Sequence, residues 1–339
     1  MRILMKSPET ASPDSSERLA IAIPVAFVYG LLLYVMIWSR HYMDAMPVIA
    51  GLALLPMAVA SLASCLSDPR AQKGLWRHVR MGWAIIGGLV VTSMVLFHEA
   101  GICVAMAAPF FMVFSALGSA VTLWIIRQFR SRHSTTLVIA LPLLVLPAEL
   151  QMTYAPHDSF VTTVVEIAAP PPEVVWRQTV EIRDVRPPHE LSWTFSHGIL
   201  GVPQPVDARL EGEGIGAVRQ LRWTHGVNFQ EIVTQWEENR LLAWDFRFGP
   251  GSIPPEVEAH IKVDSTYLKL AQGDYSLEPL TNGHTRLTLT THYQIATPID
   301  FYCDLWGGKL FLNDFHRVVL KVIRDRSEKI AQGGAGGVT

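Results

Sequence analysis

The sequence predicts an α+β chain: an N-terminal bundle of transmembrane helices, then a water-soluble domain whose antiparallel sheet wraps a long C-terminal helix. Three observations carry this. The first 150 residues are long apolar runs separated by short basic loops. From about residue 155, short alternating runs rich in Val, Thr and aromatic residues succeed one another between turn signals. An amphipathic stretch closes the chain. Composition breaks at Leu150, with 11 Lys and Arg against 7 Asp and Glu before it and 17 against 23 after it. This asymmetry explains an apolar share of 50% and a mean hydropathy of +0.25, both unusual for a soluble protein. An acidic second half without a basic cluster argues against a nucleic-acid partner.

A helix needs about 20 apolar residues to cross a hydrocarbon core. Leu19–Ser39, Met46–Leu66, Met81–Phe97 and Ile102–Ile126 each supply one span. Small residues in the fourth (Ala107, Ala108, Ser115, Gly118, Ser119) let helices approach closely. Thr135–Leu150 is a fifth run, shorter, with Pro142 and Pro147, ending at Glu149. The loops with Arg70, Lys73, Arg77 and Arg80, and with Arg127, Arg130 and Arg132, read as cytoplasmic. That places residues 1–18 inside as a cytoplasmic tail. If the fifth run spans, the second half lies outside, in the periplasm or its equivalent. If the run is re-entrant or interfacial, that half stays in the cytoplasm. Spanning is the preferred reading, because Gln151–Trp176 contains no Lys or Arg. No charged residue lies at the centre of a span, so anchoring is expected rather than transport. The first run is too long for a signal-peptide core and reads as a retained anchor.

In the second half, Phe160–Ala168 reads as a strand. Pro170-Pro171-Pro172 stops it and opens a helix, Glu173–Glu181. Pro187-Pro188 opens a second short helical stretch to about Phe195. His197–Gly216, rich in Gly and Pro, reads as loop. Strands follow at Ala217–Trp223 and Val227–Trp236, flanking Thr224-His225-Gly226. A three-residue hairpin loop favours Gly at its last, left-handed position. That register sets Trp223 opposite Val227, Leu221 opposite Phe229 and Arg219 opposite Glu231. Leu241–Phe248 puts Leu242, Trp244, Phe246 and Phe248 on one face. Leu268–Leu280 and Thr285–Ala296 pair through Asn282-Gly283. Asp300 caps a last helix, Phe301 to about Ile330, with apolar positions Phe311, Phe315, Val318, Val319 and Val322 and a kink at Gly307-Gly308. Residues 331–339 are Gly-rich and read as a disordered tail.

Val164-Val165-Glu166-Ile167-Ala168-Ala169-Pro170, then Val174-Val175-Trp176, resembles the first strand and helix of the START-like superfamily, also called SRPBCC. The closing amphipathic helix resembles it too. Gly214-Ile215-Gly216-Ala217-Val218-Arg219, Phe229-Gln230-Glu231-Ile232 and Gly283-His284-Thr285-Arg286-Leu287 resemble a bacterial, membrane-attached subgroup described as polyketide cyclase/dehydrase-like. The resemblance covers about residues 160–330, within a soluble domain read as 155–330. It implies a helix-grip fold with a deep apolar cavity that binds lipids, sterols, polyketides or aromatic compounds, and in some members catalyses cyclisation.

Arg219 and Glu231 are candidate polar anchors in such a cavity; a structural ion pair is the plainer reading. Tyr293 shares parity with Leu287, Leu289 and Ile295, the side that reads as the cavity side, and can donate a hydrogen bond. A core tyrosine is its plainer role. Trp244 of the aromatic face and Phe315 of the last helix complete the candidate ligand-binding set. His316, His197 and His260 are possible general bases, but no carboxylate stands at a helical spacing to orient His316, and Asp314 is too close to share its face. No Ser-His-Asp arrangement, HExxH or P-loop is present, and Gly212, Gly214 and Gly216 lead into a strand rather than a helix. Cys65, Cys103 and Cys303 offer neither metal spacing nor a disulfide framework. No cofactor and no metal are expected. Gly249–Pro255 and Gly198–Pro205 are candidate lids. The sequence favours a membrane-anchored binding module for an apolar or amphipathic small molecule or lipid; a cyclase/dehydratase-like enzyme acting in the same cavity is the alternative. The oligomeric state is not legible.

Overall fold

The computed structural model describes residues 15–39, 47–99, 101–129, 133–168, 172–186, 190–257 and 262–335. Most of the proposed cytoplasmic tail, Pro187-Pro188, His260 and residues 336–339 lie outside them. The chain divides into two compact units. One holds most of the apolar helices. The other runs from Met152 onward and includes Ser93–Met106.

The first unit contains α1 (Ser15–Ser39), π-helical turns Ile49–Leu54 leading into α2 (Leu55–Ser67), α3 (Leu75–Phe97), α4 (Gly101–Phe129) and α5 (His133–Glu149). Four of these helices are long and apolar enough to cross a membrane; α5 is shorter. The basic loop is shorter than the sequence suggested, because α3 begins at Leu75 and takes in Arg77 and Arg80. Small residues do the close packing. Ser61 Oγ donates to the Gly118 carbonyl at 3.2 Å, and a Cβ at Gly118 would stand 2.2 Å from the Met57 carbonyl oxygen. Glu149, at the end of α5, accepts from the backbone N–H groups of Ile49 (2.5 Å) and Ala50 (2.8 Å). These are first-turn donors without intrahelical partners. The end of α5 therefore meets the start of the helix that runs on through α2.

The second unit is built on one seven-stranded antiparallel sheet. In chain order come β1 (His157–Ile167), α6 (Pro172–Val180), α7 (Phe195–Gly198), β2 (Pro205–Glu211), β3 (Val218–Trp223), β4 (Asn228–Glu237), β5 (Leu241–Arg247), β6 (Leu268–Pro279) and β7 (Thr285–Ile295). The spatial order is β1-β7-β6-β5-β4-β3-β2. Register breaks in β2–β3, β4–β5 and β6–β7 bend the sheet, as bulges do. The closing helix is α8 (Asp300–Cys303), π-helical turns Asp304–Leu312 and α9 (Asn313–Ala335). Leu320, Val322 and Ile323 of α9 are buried in one core with Ile167, Leu242, Leu277 and Leu287 of the sheet. This is a helix-grip fold: α+β, with a curved antiparallel sheet held on a long C-terminal helix.

Four expectations are corrected. The segment read as loop contains β2, which pairs with β3 from Pro205↔Trp223 to Glu211↔Val218. Pro205 is tolerated because it opens an edge strand. The second short helix is only the turn Phe195–Gly198, capped by Thr194, whose hydroxyl accepts from the His197 N–H at 3.3 Å. The last helix continues to Ala335, so residues 331–335 are helical rather than disordered. Asp300 lies within the first turn, accepting from the Phe301 N–H at 2.7 Å, and Gly307-Gly308 fall in π-helical turns.

Candidate functional site

Alternation turns one set of side chains from each strand toward the C-terminal helix. From β3 these are Arg219, Leu221 and Trp223; from β4, Phe229 and Glu231; from β5, Trp244 and Phe246; from β7, Leu289, Thr291, Tyr293 and Ile295. With Phe311, Phe315, His316 and Val319 of the closing helix they line a cavity of ≈ 990 Å³. Its walls are mostly apolar and aromatic, as small-molecule sites generally are.

The three-residue loop sets the register at one end. Leu221 faces Phe229 and Arg219 faces Glu231. The Trp223 N–H donates to the Val227 carbonyl at 2.8 Å. Gly226 is left-handed, with φ +78°, and His225 beside it has φ +58°. Few side chains tolerate such a φ, and Gly tolerates it best.

Arg219 is 1% exposed and Glu231 4%. Arg219 Nη1 donates to Glu231 Oε2. Its Nε donates to the Val180 carbonyl at 3.1 Å, and Nη2 to the Thr179 carbonyl at 3.0 Å. Those are last-turn carbonyls of α6, which helix geometry leaves unpaired and where a positive charge is favoured. The guanidinium carbon also lies over the rings of Trp244 (5.1 Å) and Tyr275 (5.7 Å). Arg219 thus joins α6, β4, β5 and β6. Burial pushes the Glu231 carboxyl up to about 7, against the pull of the Arg219 charge. Burial likewise raises the Tyr275 hydroxyl to about 12. Gly273 of β6 leaves room for the Trp244 indole: a Cβ there would meet it at 2.6 Å.

At another part of the wall, the Tyr293 hydroxyl donates to Asp304 Oδ1 at 2.6 Å, and the Ser159 hydroxyl donates to the same oxygen. Burial raises the Asp304 carboxyl, but these bonds outweigh it and hold the group below its ordinary value. Burial, reinforced by Asp304, raises Tyr293 to about 12. A Cβ at Gly308 would fall 1.7 Å from the Tyr293 hydroxyl oxygen, so Gly308 provides the room for this contact.

His316 is 3% exposed. Its Nδ1 lies 3.1 Å from the Thr163 hydroxyl and its Nε2 2.8 Å from the Thr291 hydroxyl. Burial lowers it to about 4, so it is neutral near pH 7. Phe315 meets the rings of Trp223 (5.2 Å) and His197 (5.3 Å) edge-on. His197 is held by its own loop, with Nδ1 3.0 Å from the Val202 carbonyl. Asp314 accepts from the Ser196 hydroxyl at 2.6 Å.

All five residues singled out in the sequence, Arg219, Glu231, Tyr293, Trp244 and Phe315, line the cavity. Arg219 and Glu231 are in direct contact; Tyr293 donates to the protein's own Asp304. Sequence reasoning missed Tyr275, whose parity with Leu277 on β6 was the available signal. It also missed Asp304 and Ser159, which had none. Among the described residues, no group of three His, Cys, Asp or Glu side chains is placed to hold a metal ion.

No family model matches the sequence, and no curated protein matches it. Solved structures do match. The Aha1 dimer from Colwellia psychrerythraea is 16% identical, with 50% of this chain and 96% of that one covered, at a TM-score of 0.30. The Zhui aromatase/cyclase from Streptomyces sp. R1128 is 14% identical, covering 52% and 99%, at 0.33. A norcoclaurine synthase point mutant from Thalictrum flavum is 12% identical, covering 53% and 98%, at 0.32. These are likenesses of fold and bring no activity with them.

Proposed function

We propose that this protein is a membrane-anchored binding module whose helix-grip cavity takes an apolar or amphipathic small molecule or lipid. One observation carries the reading: a cavity of ≈ 990 Å³ whose lining is predominantly apolar and aromatic. The four apolar helices support attachment to a bilayer, where such ligands partition. The test is mass spectrometry of molecules retained by the purified full-length chain, beside a cavity-filling Leu221→Trp variant. A molecule near one per chain in the wild type and depleted in the variant supports the reading. Equal amounts in both, or none, overturn it.

The soluble domain is proposed to lie outside the cytoplasm, with the N-terminus inside. The setting implied by the sequence resemblance is a bacterial inner membrane. The bond from Glu149 to the start of the second apolar helix supports a fifth run that crosses, because the two ends then share a side. Reporter fusions after Arg77 and after Gly333 test this: opposite compartments are expected, and two cytoplasmic signals would put the domain inside.

A second reading, a cyclase/dehydratase-like enzyme, has one favouring observation: Glu231 lines the cavity with its carboxyl raised to about 7, in the range for general acid–base work. Under this reading, incubating the retained molecule with the wild type changes its mass or absorbance, and Glu231→Gln abolishes the change. Binding is preferred, because Arg219 is held by two backbone carbonyls as well as by Glu231.

A further inference from the structure

Building on that binding role, we propose that the cavity selects an uncharged ligand and discriminates against one whose polar end is a carboxylate or phosphate. The ionisable side chains that the sheet and α9 turn inward are engaged by the protein itself. Arg219 uses Nε, Nη1 and Nη2 on Val180, Glu231 and Thr179. The Tyr293 hydroxyl donates to Asp304. Both ring nitrogens of His316 face threonine hydroxyls. Among the described residues lining the cavity, Arg219 is the only Lys or Arg. Among the described lining residues an anion therefore finds no Lys or Arg without a partner, and burying an unpaired charge is unfavourable.

The carboxylates point the same way. Glu231 shares the wall with Arg219, and Glu99, Asp207 and Glu256 also line the cavity. With Glu231 ionised the inner pair is neutral, Asp207 is paired with Arg222, and the Glu256 carboxylate at the wall repels an anionic head group. What the cavity offers a ligand is ring and aliphatic surface. Trp223, Phe229, Phe246, Phe248 and Phe315 form a connected aromatic wall, with centroids 5.2–6.3 Å apart along it. Such a wall recognises apolar area and shape.

The test uses the full-length protein in phosphatidylcholine nanodiscs at pH 8. Three dansyl probes share one undecyl tail and end in a methyl ester, a primary amine or a carboxylic acid. Energy transfer from tryptophan reports binding, and signal that an excess of the same undecyl compound without the dansyl group does not displace is subtracted as bilayer partition. The expected order is ester tightest, then amine, with the acid at least tenfold weaker than the ester. The amine and acid are both charged, so their order reads the sign of the field rather than apolarity. Glu231→Gln, which leaves the Arg219 charge uncompensated, is expected to strengthen acid binding at least threefold. If that variant does not fold, the wild-type order still decides. Acid binding equal to or tighter than amine overturns the selectivity while leaving the cavity a binding site. No cavity-dependent binding of any probe overturns both.

Discussion

Each unit of the molecule buries a charged side chain at a helix end. In the first, the Glu149 carboxylate accepts from the N–H groups of Ile49 and Ala50. In the second, the Arg219 guanidinium donates to the carbonyls of Thr179 and Val180 at the end of α6. Both obey the same rule: an anion suits a helix start and a cation suits a helix end. The difference is the counter-charge. Glu149 is satisfied by backbone donors. Arg219 also has Glu231, held on a neighbouring strand by the hairpin register. Taking Glu149 away leaves two N–H groups without acceptors. Taking Arg219 away leaves two carbonyls without donors and a carboxylate buried without a partner. The lesson is that similar caps differ in cost according to what their removal strands.

The largest effect is expected at Arg219→Met, a loss of about 3–5 kcal/mol, because breaking a buried pair strands a charge. Arg219→Met with Glu231→Gln should recover most of it. Thermal and denaturant unfolding of the detergent-solubilised full chain, read as a double-mutant cycle, checks this. Additive effects of a few tenths of a kcal/mol would show the pair to be solvated and erase the contrast with Glu149.

Next comes acid sensitivity at His316. Burial lowers its folded-state value to about 4 from 6.5, so the fold favours the neutral ring. Its contribution is fully present above pH 6.5 and is lost as the pH falls from 6.5 toward 4, reaching about 3 kcal/mol at most. Stability measured across that window should fall in the wild type and flatten in His316→Asn. Equal slopes would remove His316 as the cause.

Glu149→Ala should cost about 2 kcal/mol, less than Arg219→Met, since it removes the side-chain acceptors of two backbone N–H groups without stranding a charge. A cost equal to that of Arg219→Met would mean the counter-charge is not what separates the two caps. Smallest is Gly226→Ala, about 1 kcal/mol from the left-handed backbone. An unchanged melting temperature would question the tight loop that aligns Arg219 with Glu231.

How much of this the sequence revealed depended on how local each cause was. The spans were legible because hydropathy is a local sum. The Arg219–Glu231 register was legible because a three-residue loop fixes the count on both sides of it. β2 was missed although Val206, Ala208 and Leu210 alternate with Asp207, Arg209 and Glu211, because the surrounding Gly and Pro residues dominate that stretch. The clamp on α6 was not legible: Arg219 meets carbonyls about forty residues earlier in the chain, and a helix end carries no mark of which distant cation will reach it. Gly308 was noticed as a helix weak point, but its reason is the Tyr293 hydroxyl, visible only once β7 and the π-helical turns are together in space.

The measurement that most directly tests the central claim is an experimental density map of the full chain purified from its host membrane. The account predicts a continuous non-protein feature between the inner face of the sheet and the C-terminal helix, in contact with Trp223, Phe229 and Phe315, with Arg219 still bonded to Thr179, Val180 and Glu231. A cavity collapsed onto itself or filled by ordered water alone, or Arg219 turned from α6 toward solvent, would contradict it.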